Sequence, residues 1–408
     1  MRVRRVLVWI VVVMIVLAGA IGGAVYRAVG TFPVAIPESL KGKQPGALVA
    51  VERTAKYPSF VVQYLIDSVH LPEPIDVTHG ITVYRVKYRT TNHDGAVVVA
   101  SGLVALPNGA AAGSVVSYHH GTTAQRNTAP SQPRFGEGTL IAAAVSGLGH
   151  ITVAPDYIGL GTNRDPHPYM HAQTTAATSV DLLSAAHALV EHLGEWPSSL
   201  YLIGFSQGGH ATFAVQRHLE ELDDPRFDVQ AAAPIAGPFH LRDVSFPQAL
   251  TGESDSHAFY LAYLATAYAH IYGQPLESVL TAAYAGSLPA LFDGDHESAE
   301  ISAAMPDDPR SLFNPEFLTA YDNGEPHWFL QALEENDVDD WTPAAPVRLF
   351  YGDKDLDVLP EEARRAEAAM KQLGADVTAI SVGPYDHNGS AQFGIPRAIL
   401  WFDELAEQ

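Results

Sequence analysis

The sequence predicts an α/β chain: a mostly parallel central sheet with helices on both faces, a helical insertion, and an N-terminal transmembrane helix ahead of them. Three observations carry that expectation. From about residue 114 onward, short apolar runs alternate with helical patterns, the signature of strand–helix–strand units. One span, 243–343, holds helical patterns and no convincing strand. At 200–215, "LYLIGFSQGGHATFAV", an apolar run gives way to a helix-like stretch across a serine bracketed by glycines.

The chain has 408 residues, and hydrophobic residues make up 47% of it, enough for a sizeable core. The net charge is −22, from 24 Lys and Arg against 46 Asp and Glu. A nucleic-acid partner requires a basic stripe, and none is present. With no cysteine there is no disulfide, no thiolate nucleophile and no Cys-ligated zinc.

In chain order, residues 1–30 come first. Arg2, Arg4 and Arg5 precede an uncharged run from Val6 to Val25, closed by Arg27. About 20 apolar residues at ~1.5 Å each span a bilayer core. The leading arginines place the N-terminus in the cytoplasm and the rest outside. The expectation is a single-pass anchor, with a signal peptide cleaved near residue 20 or 24 as the alternative and a secreted protein as its consequence. Residues 31–80, opening with Pro33, Pro37 and Pro45, read as a linker and N-terminal extension. Residues 81–242 and 344–408 read as the sheet core, with 243–343 as a helical lid between its halves. Within the core, 81–90 and 96–107 flank "NHDG", a hairpin. Strands are expected at 114–119, 151–156, 200–204, 229–237, 347–352 and 376–383. The helices lie at 139–149, 172–193, 207–220 and 391–406.

Gly204-Phe205-Ser206-Gln207-Gly208 fits G-x-S-x-G between a strand and a helix. Such a turn lifts the serine hydroxyl above the strand ends and aims the next amide N–H at the same place. Its neighbours two residues away must be small to let the backbone close. A serine hydroxyl needs a base, and on this architecture an acid and then a histidine should follow, each after a later strand. His387 lies past the last strand, in a loop before the last helix. Among Asp353, Asp355 and Asp357, the spacing G-x-x-D-x-x-V selects Asp355, with Asp357 second. The loop "YHHGTTAQ" after the 114–119 strand should supply the other half of an oxyanion hole: His119 or His120 to hold the loop, Gly121 for close approach, and the Thr122 amide beside that of Gln207. His119 and His120 point to opposite faces of a strand, and no carboxylate cluster joins them, so a metal site is not expected. No cofactor is called for. The stretch 154–171, "APDYIGLGTNRDPHPYMH", sits where such sheets bind ligands. It is as much a packed structural loop as a substrate contact, with Asp156 hydrogen-bonded inside it.

The motifs "PGALVAVE", "YHHGT", "VAPDYIGLG", "HPYMH", "GFSQGG", "YGDKDLDV" and "DHNGS" run in one order from about residue 40 to the end. On these the chain resembles the α/β-hydrolase superfamily and, within it, the secretory-lipase family of serine esterases. The resemblance implies Ser206 as nucleophile, Asp355 as acid, His387 as base and the insertion as a lid. The disulfides of fungal members have no counterpart here. The expected activity is hydrolysis of small-molecule or lipid esters through an acyl-enzyme, outside the cytoplasmic membrane. The alternatives are an acyltransferase or peptidase using the same three residues, or an anchored binding protein on the same scaffold.

Overall fold

A computed structural model describes residues 30–109, 111–132 and 136–407. The expected transmembrane segment therefore lies outside the described residues. Within them, no helix is long and apolar enough to cross a membrane.

The described strands form one ten-stranded sheet in the order β1-β2-β3-β4-β6-β5-β7-β8-β9-β10. β1 (Phe32–Val34), β2 (Leu48–Tyr57), β3 (Ile81–Thr91) and β4 (Val97–Pro107) pair antiparallel, and β4 also pairs antiparallel with β6. β5 (Val115–His119), β6 (Ile151–Pro155), β7 (Ser199–Phe205), β8 (Asp228–Ile235), β9 (Val347–Gly352) and β10 (Val377–Gly383) are mutually parallel. The β3–β4 hairpin closes with Thr91 opposite Val97, as the "NHDG" turn requires.

The first half of the sheet corrects one expectation. The sheet does not begin near residue 81. Residues 31–80 contribute two strands and the helix α1 (Ser59–Ser68). Glu52, Arg53 and Lys56 break up the apolar pattern of β2. Pro33 is tolerated in β1 because that strand forms an edge of the sheet.

Helices cover both faces. α3 (Ala172–Leu193), α4 (Gln207–Leu222) and α11 (Pro360–Gln372) bury one apolar layer against the sheet. α1, α2 (Glu137–Gly147) and α12 (His387–Ala406) bury the other. The strand order reverses at β5: the chain leaves it toward β6 on one side and returns to β7 on the other. The crevice at that reversal, at the carboxyl ends of the strands, is where open parallel sheets take ligands.

Between β8 and β9 the chain leaves the sheet and forms a helical cap. Its helices are α5 (Phe246–Ala249), α6 (His257–Ile271), α7 (Ala282–Leu291), α8 (Ser298–Ala303), α9 (Pro315–Asp322) and α10 (Trp328–Glu335). The cap has a core of its own, built around Phe246, Phe313, Phe317 and Phe329, whose rings meet edge to face or stacked. Most of the aromatics of this span are thus spent on internal packing.

Beneath the crevice, Asp156 is fully buried and forms no ion pair among the described residues. Its Oδ2 accepts the hydroxyls of Ser101 and Ser131, each at 2.5 Å, and Oδ1 accepts the Ser131 amide at 2.8 Å. These bonds tie β4 and the loop after β5 to the end of β6. Asp156→Ala strips three buried donors of their acceptor, and we expect it to cost about 2–4 kcal/mol of stability. A chemical denaturation curve with a lowered midpoint and an unchanged slope checks this.

Candidate active site

β7 ends at Phe205 and α4 begins at Gln207, so Ser206 alone makes the turn. Its backbone stands at φ 58° and ψ −120°, a region that non-glycine residues occupy only when held there. The two glycines explain how. A Cβ on Gly204 would run into the Gly208 carbonyl, and one on Gly208 into the carbonyl oxygen of His119. The turn is closed on itself from one side and pressed against the end of β5 from the other.

His387 is the first residue of α12, not a loop residue as the sequence suggests. Asp386 caps the helix by accepting the Gly389 amide at 2.9 Å, which starts α12 earlier than the glycine-flanked sequence indicates. The imidazole lies between two partners. Its Nδ1 is 2.8 Å from Asp355 Oδ2, and its Nε2 is 2.9 Å from Ser206 Oγ. An ionised Asp355 can only accept, so the ring proton sits on Nδ1 and the Nε2 lone pair faces the serine hydroxyl. The Phe205 ring packs 4.6 Å from the imidazole, centroid to centroid.

Asp355 is almost wholly buried, and both its oxygens are occupied. Oδ1 accepts the amides of Asp357 at 3.0 Å and Val358 at 2.9 Å. Oδ2 receives His387, with the Ser390 hydroxyl at 3.3 Å. Ser390 also accepts the Gly352 amide at 2.9 Å, joining the end of β9 to α12. The other two aspartates of the turn point elsewhere. Asp353 accepts the Ser381 hydroxyl at 2.8 Å, and Asp357 accepts that of Ser254 in the cap.

The loop after β5 lies over the serine turn. His119 bonds to Thr212 at 3.0 Å and Ser117 at 3.2 Å, while His120 bonds to the Gly121 carbonyl at 2.7 Å. Burial pushes the His119 imidazole down to about 3, so it stays neutral. A Cβ on Gly121 would press on the Phe205 ring. The Thr122 hydroxyl meets that of Tyr169 at 2.8 Å. Neither the Thr122 nor the Gln207 amide donates to a protein acceptor among the described residues.

The stretch 154–171 divides between packing and the wall of a cavity. His167 is structural: its Nδ1 donates to the Ile158 carbonyl at 2.7 Å, and burial holds its pKa down at about 3. Its Nε2 is therefore an acceptor and takes the Gln207 side-chain amide at 3.0 Å. Tyr169 and Met170, by contrast, line a cavity of about 60 Å³ beside Ser206, with Phe246 and Leu261 of the cap and Asp357 and Val358 of the acid turn. A larger hollow of about 620 Å³, among Ser198, Asp228 and Ala345, lies at the opposite end of the strands and has no part in this site. Among the described residues no cluster of three or more His, Cys, Asp or Glu could hold a metal ion.

Tyr169, Phe205, His167 and Ser390 also stand at the site, although no motif role marks them in the sequence. Ser390 carries a readable signal, standing three residues after His387 on what becomes one helix face. Tyr169 is one of two tyrosines in its stretch, with nothing in the sequence to single it out.

No protein-family model and no curated protein sequence matches the chain. Solved structures do. A putative hydrolase from Legionella pneumophila superposes with a TM-score of 0.82 at 28% identity, covering 88% of this chain and 98% of that one. The rice cell wall degrading esterase LipA from Xanthomonas oryzae, in a ligand-bound form, gives 0.80 at 25% identity over 90% of this chain and 100% of that one. The chain is an α/β-hydrolase of the lipase and esterase type. Candida antarctica lipase A in its closed state shares the fold, at a TM-score of 0.64 and 16% identity, over 91% of this chain and 84% of that one.

In this hydrolase the serine turn and the end of β5 meet with no room for a Cβ at Gly208. Gly208→Ala drives a methyl group into the His119 carbonyl and must separate the two. We expect an ester-hydrolysis rate at least about 100-fold lower, since displacements near 1 Å at a reacting centre cost that much. A retained circular-dichroism spectrum with lost turnover checks it.

Proposed function

We propose that the chain is a serine carboxylester hydrolase working through an acyl-enzyme, with Ser206 as nucleophile, His387 as base and Asp355 as the acid that orients it. The observation that supports this reading best is the single imidazole bridging Ser206 Oγ and Asp355 Oδ2. His387 Nε2 takes the hydroxyl proton as Oγ attacks the acyl carbonyl carbon. Asp355 orients the ring and stabilises the imidazolium. The carbonyl oxygen gathers negative charge and is met by the Gln207 and Thr122 amides, which have no acceptor among the described residues to leave first. The imidazolium then protonates the leaving alcohol as the acyl–oxygen bond breaks. Water, activated by the same His387, releases the acid and restores Ser206.

The cavity beside Ser206 limits the substrate. About 60 Å³ has room for only a few water-sized groups, so it takes a small ester while the cap stays where it is. The substrates we assign are short-chain esters of small alcohols. A series of p-nitrophenyl esters of rising acyl length tests this, with kcat/KM expected to peak in the range of acetate to butyrate. In the same assay Ser206→Ala should lower kcat by about 10⁴-fold or more in a protein that still folds. Asp355→Asn should cripple turnover, while Asp353→Asn and Asp357→Asn cost far less on an uncharged ester. Full activity in a folded Ser206→Ala protein would reject the mechanism.

We also propose that residues 6–25 hold the hydrolase at the outer face of the cytoplasmic membrane, on the strength of their apolar length and the arginines before them. Removing residues 1–29 is then expected to yield a soluble enzyme with unchanged kcat on soluble esters. Flotation of the full-length protein with membranes, and mass spectrometry of its mature N-terminus, check the anchor.

A further inference from the structure

Among the described residues lining the cavity beside Ser206, one carries a charge: Asp357. We propose that Asp357 sets the charge preference of the substrate site, disfavouring anionic esters and favouring uncharged and cationic ones. The proposal rests on Ser206 being the nucleophile.

Asp357 is half-buried, and one of its oxygens accepts the Ser254 hydroxyl from the cap. Among the described residues no Lys, Arg or His forms an ion pair with it, in contrast to Asp355, which faces His387, and Asp353, which faces Arg364. The charge is held in place from two sides. The acid turn is fixed by its amides on Asp355 Oδ1, and the cap is latched to the same turn by Ser254 and by His257, which donates to the Leu356 carbonyl at 2.9 Å. The field of the carboxylate reaches the far wall. Burial first, and the Asp357 charge with it, hold the Tyr260 and Tyr169 hydroxyls well above their usual range. The same tyrosines and Phe246 line the cavity and add no charge of their own. The phosphate of a phospholipid or the free carboxylate of a half-ester meets repulsion here, with no cation in the wall to receive it. Two unit charges ~6 Å apart in a partly solvated wall change an equilibrium by about ten-fold.

The test uses the full-length chain and butyrate esters that differ in charge: butyrylcholine, its uncharged isostere 3,3-dimethylbutyl butyrate, and 2-sulfoethyl butyrate. The cationic and neutral esters share one shape, so their kcat/KM ratio isolates the charge. In Asp357→Asn this ratio should fall by about ten-fold, and the anionic ester should gain on the neutral one by a similar factor. Asp357→Glu should keep the wild-type ratios. Ratios that stay within about two-fold of wild type, or an equal loss on all three esters, would overturn the proposal and leave Asp357 only a latch for the cap. Persistent hydrolysis of the neutral ester by a folded Ser206→Ala variant would overturn the nucleophile assignment instead, and the proposal with it.

Discussion

A side chain stays at φ 58° and ψ −120° only where its surroundings leave it no alternative, and the site is arranged around Ser206 being kept there. The turn closes because Gly204 and Gly208 add no Cβ, and it cannot relax toward β5 because the His119 carbonyl already fills that space. The strand order around β5 follows from the same need. With β6 on one side and β7 on the other, the loop after β5 and the turn after β7 lie next to each other. The buried bonds of Asp156 keep the neighbouring strand end level with them.

The cap is docked on the core at its neck, its rim and its latch. At the neck, the buried Glu362 of α11 accepts the amides of Phe239 and His240 at 2.9 and 2.8 Å and the Ser245 hydroxyl at 2.5 Å, where the chain enters the cap. His240 also meets Asp339, at 2.7 Å, where the chain leaves it. Burial alone would lower the His240 pKa, but its bonds to Asp339 and Glu362 outweigh that and raise it to about 10, so it is charged at neutral pH. At the rim, Tyr169 stacks on Tyr263 and Tyr263 on Phe292, with centroids 4.4 and 4.3 Å apart. The latch is the pair of contacts from Ser254 and His257 to the acid turn. The small volume left beside Ser206 is the consequence of this close docking.

Much of the architecture was legible because local chemistry and tertiary demand agreed. The helix at 172–193 has the bounds its pattern indicated, and the serine turn stands between the strand and helix that flank its motif. The misreadings have physical causes. β2 has charged residues within its run and gains its place by pairing with β3, a long-range contact that leaves no periodic trace in the chain. His387 looked like a loop residue because glycine and asparagine follow it. The helix begins there because the Asp386 side chain supplies the cap.

The sequence by itself determined the alternation that makes a covered parallel sheet, the glycines that allow one serine to turn sharply, and the order in which serine, aspartate and histidine follow the strands. Those are properties of residues near one another in the chain, where spacing and side-chain size act directly. Only the tertiary structure decided that Asp353 turns to Ser381, that Tyr169 lines the cavity, and that Asp357 brings a charge into its wall. Asp353 and Asp357 flank Asp355 in one turn, and although the spacing singles out Asp355 it does not give the direction the other two side chains take. That direction is set when β9, α12 and the cap close on the same point, bringing together residues 254, 357 and 387 from distant parts of the chain.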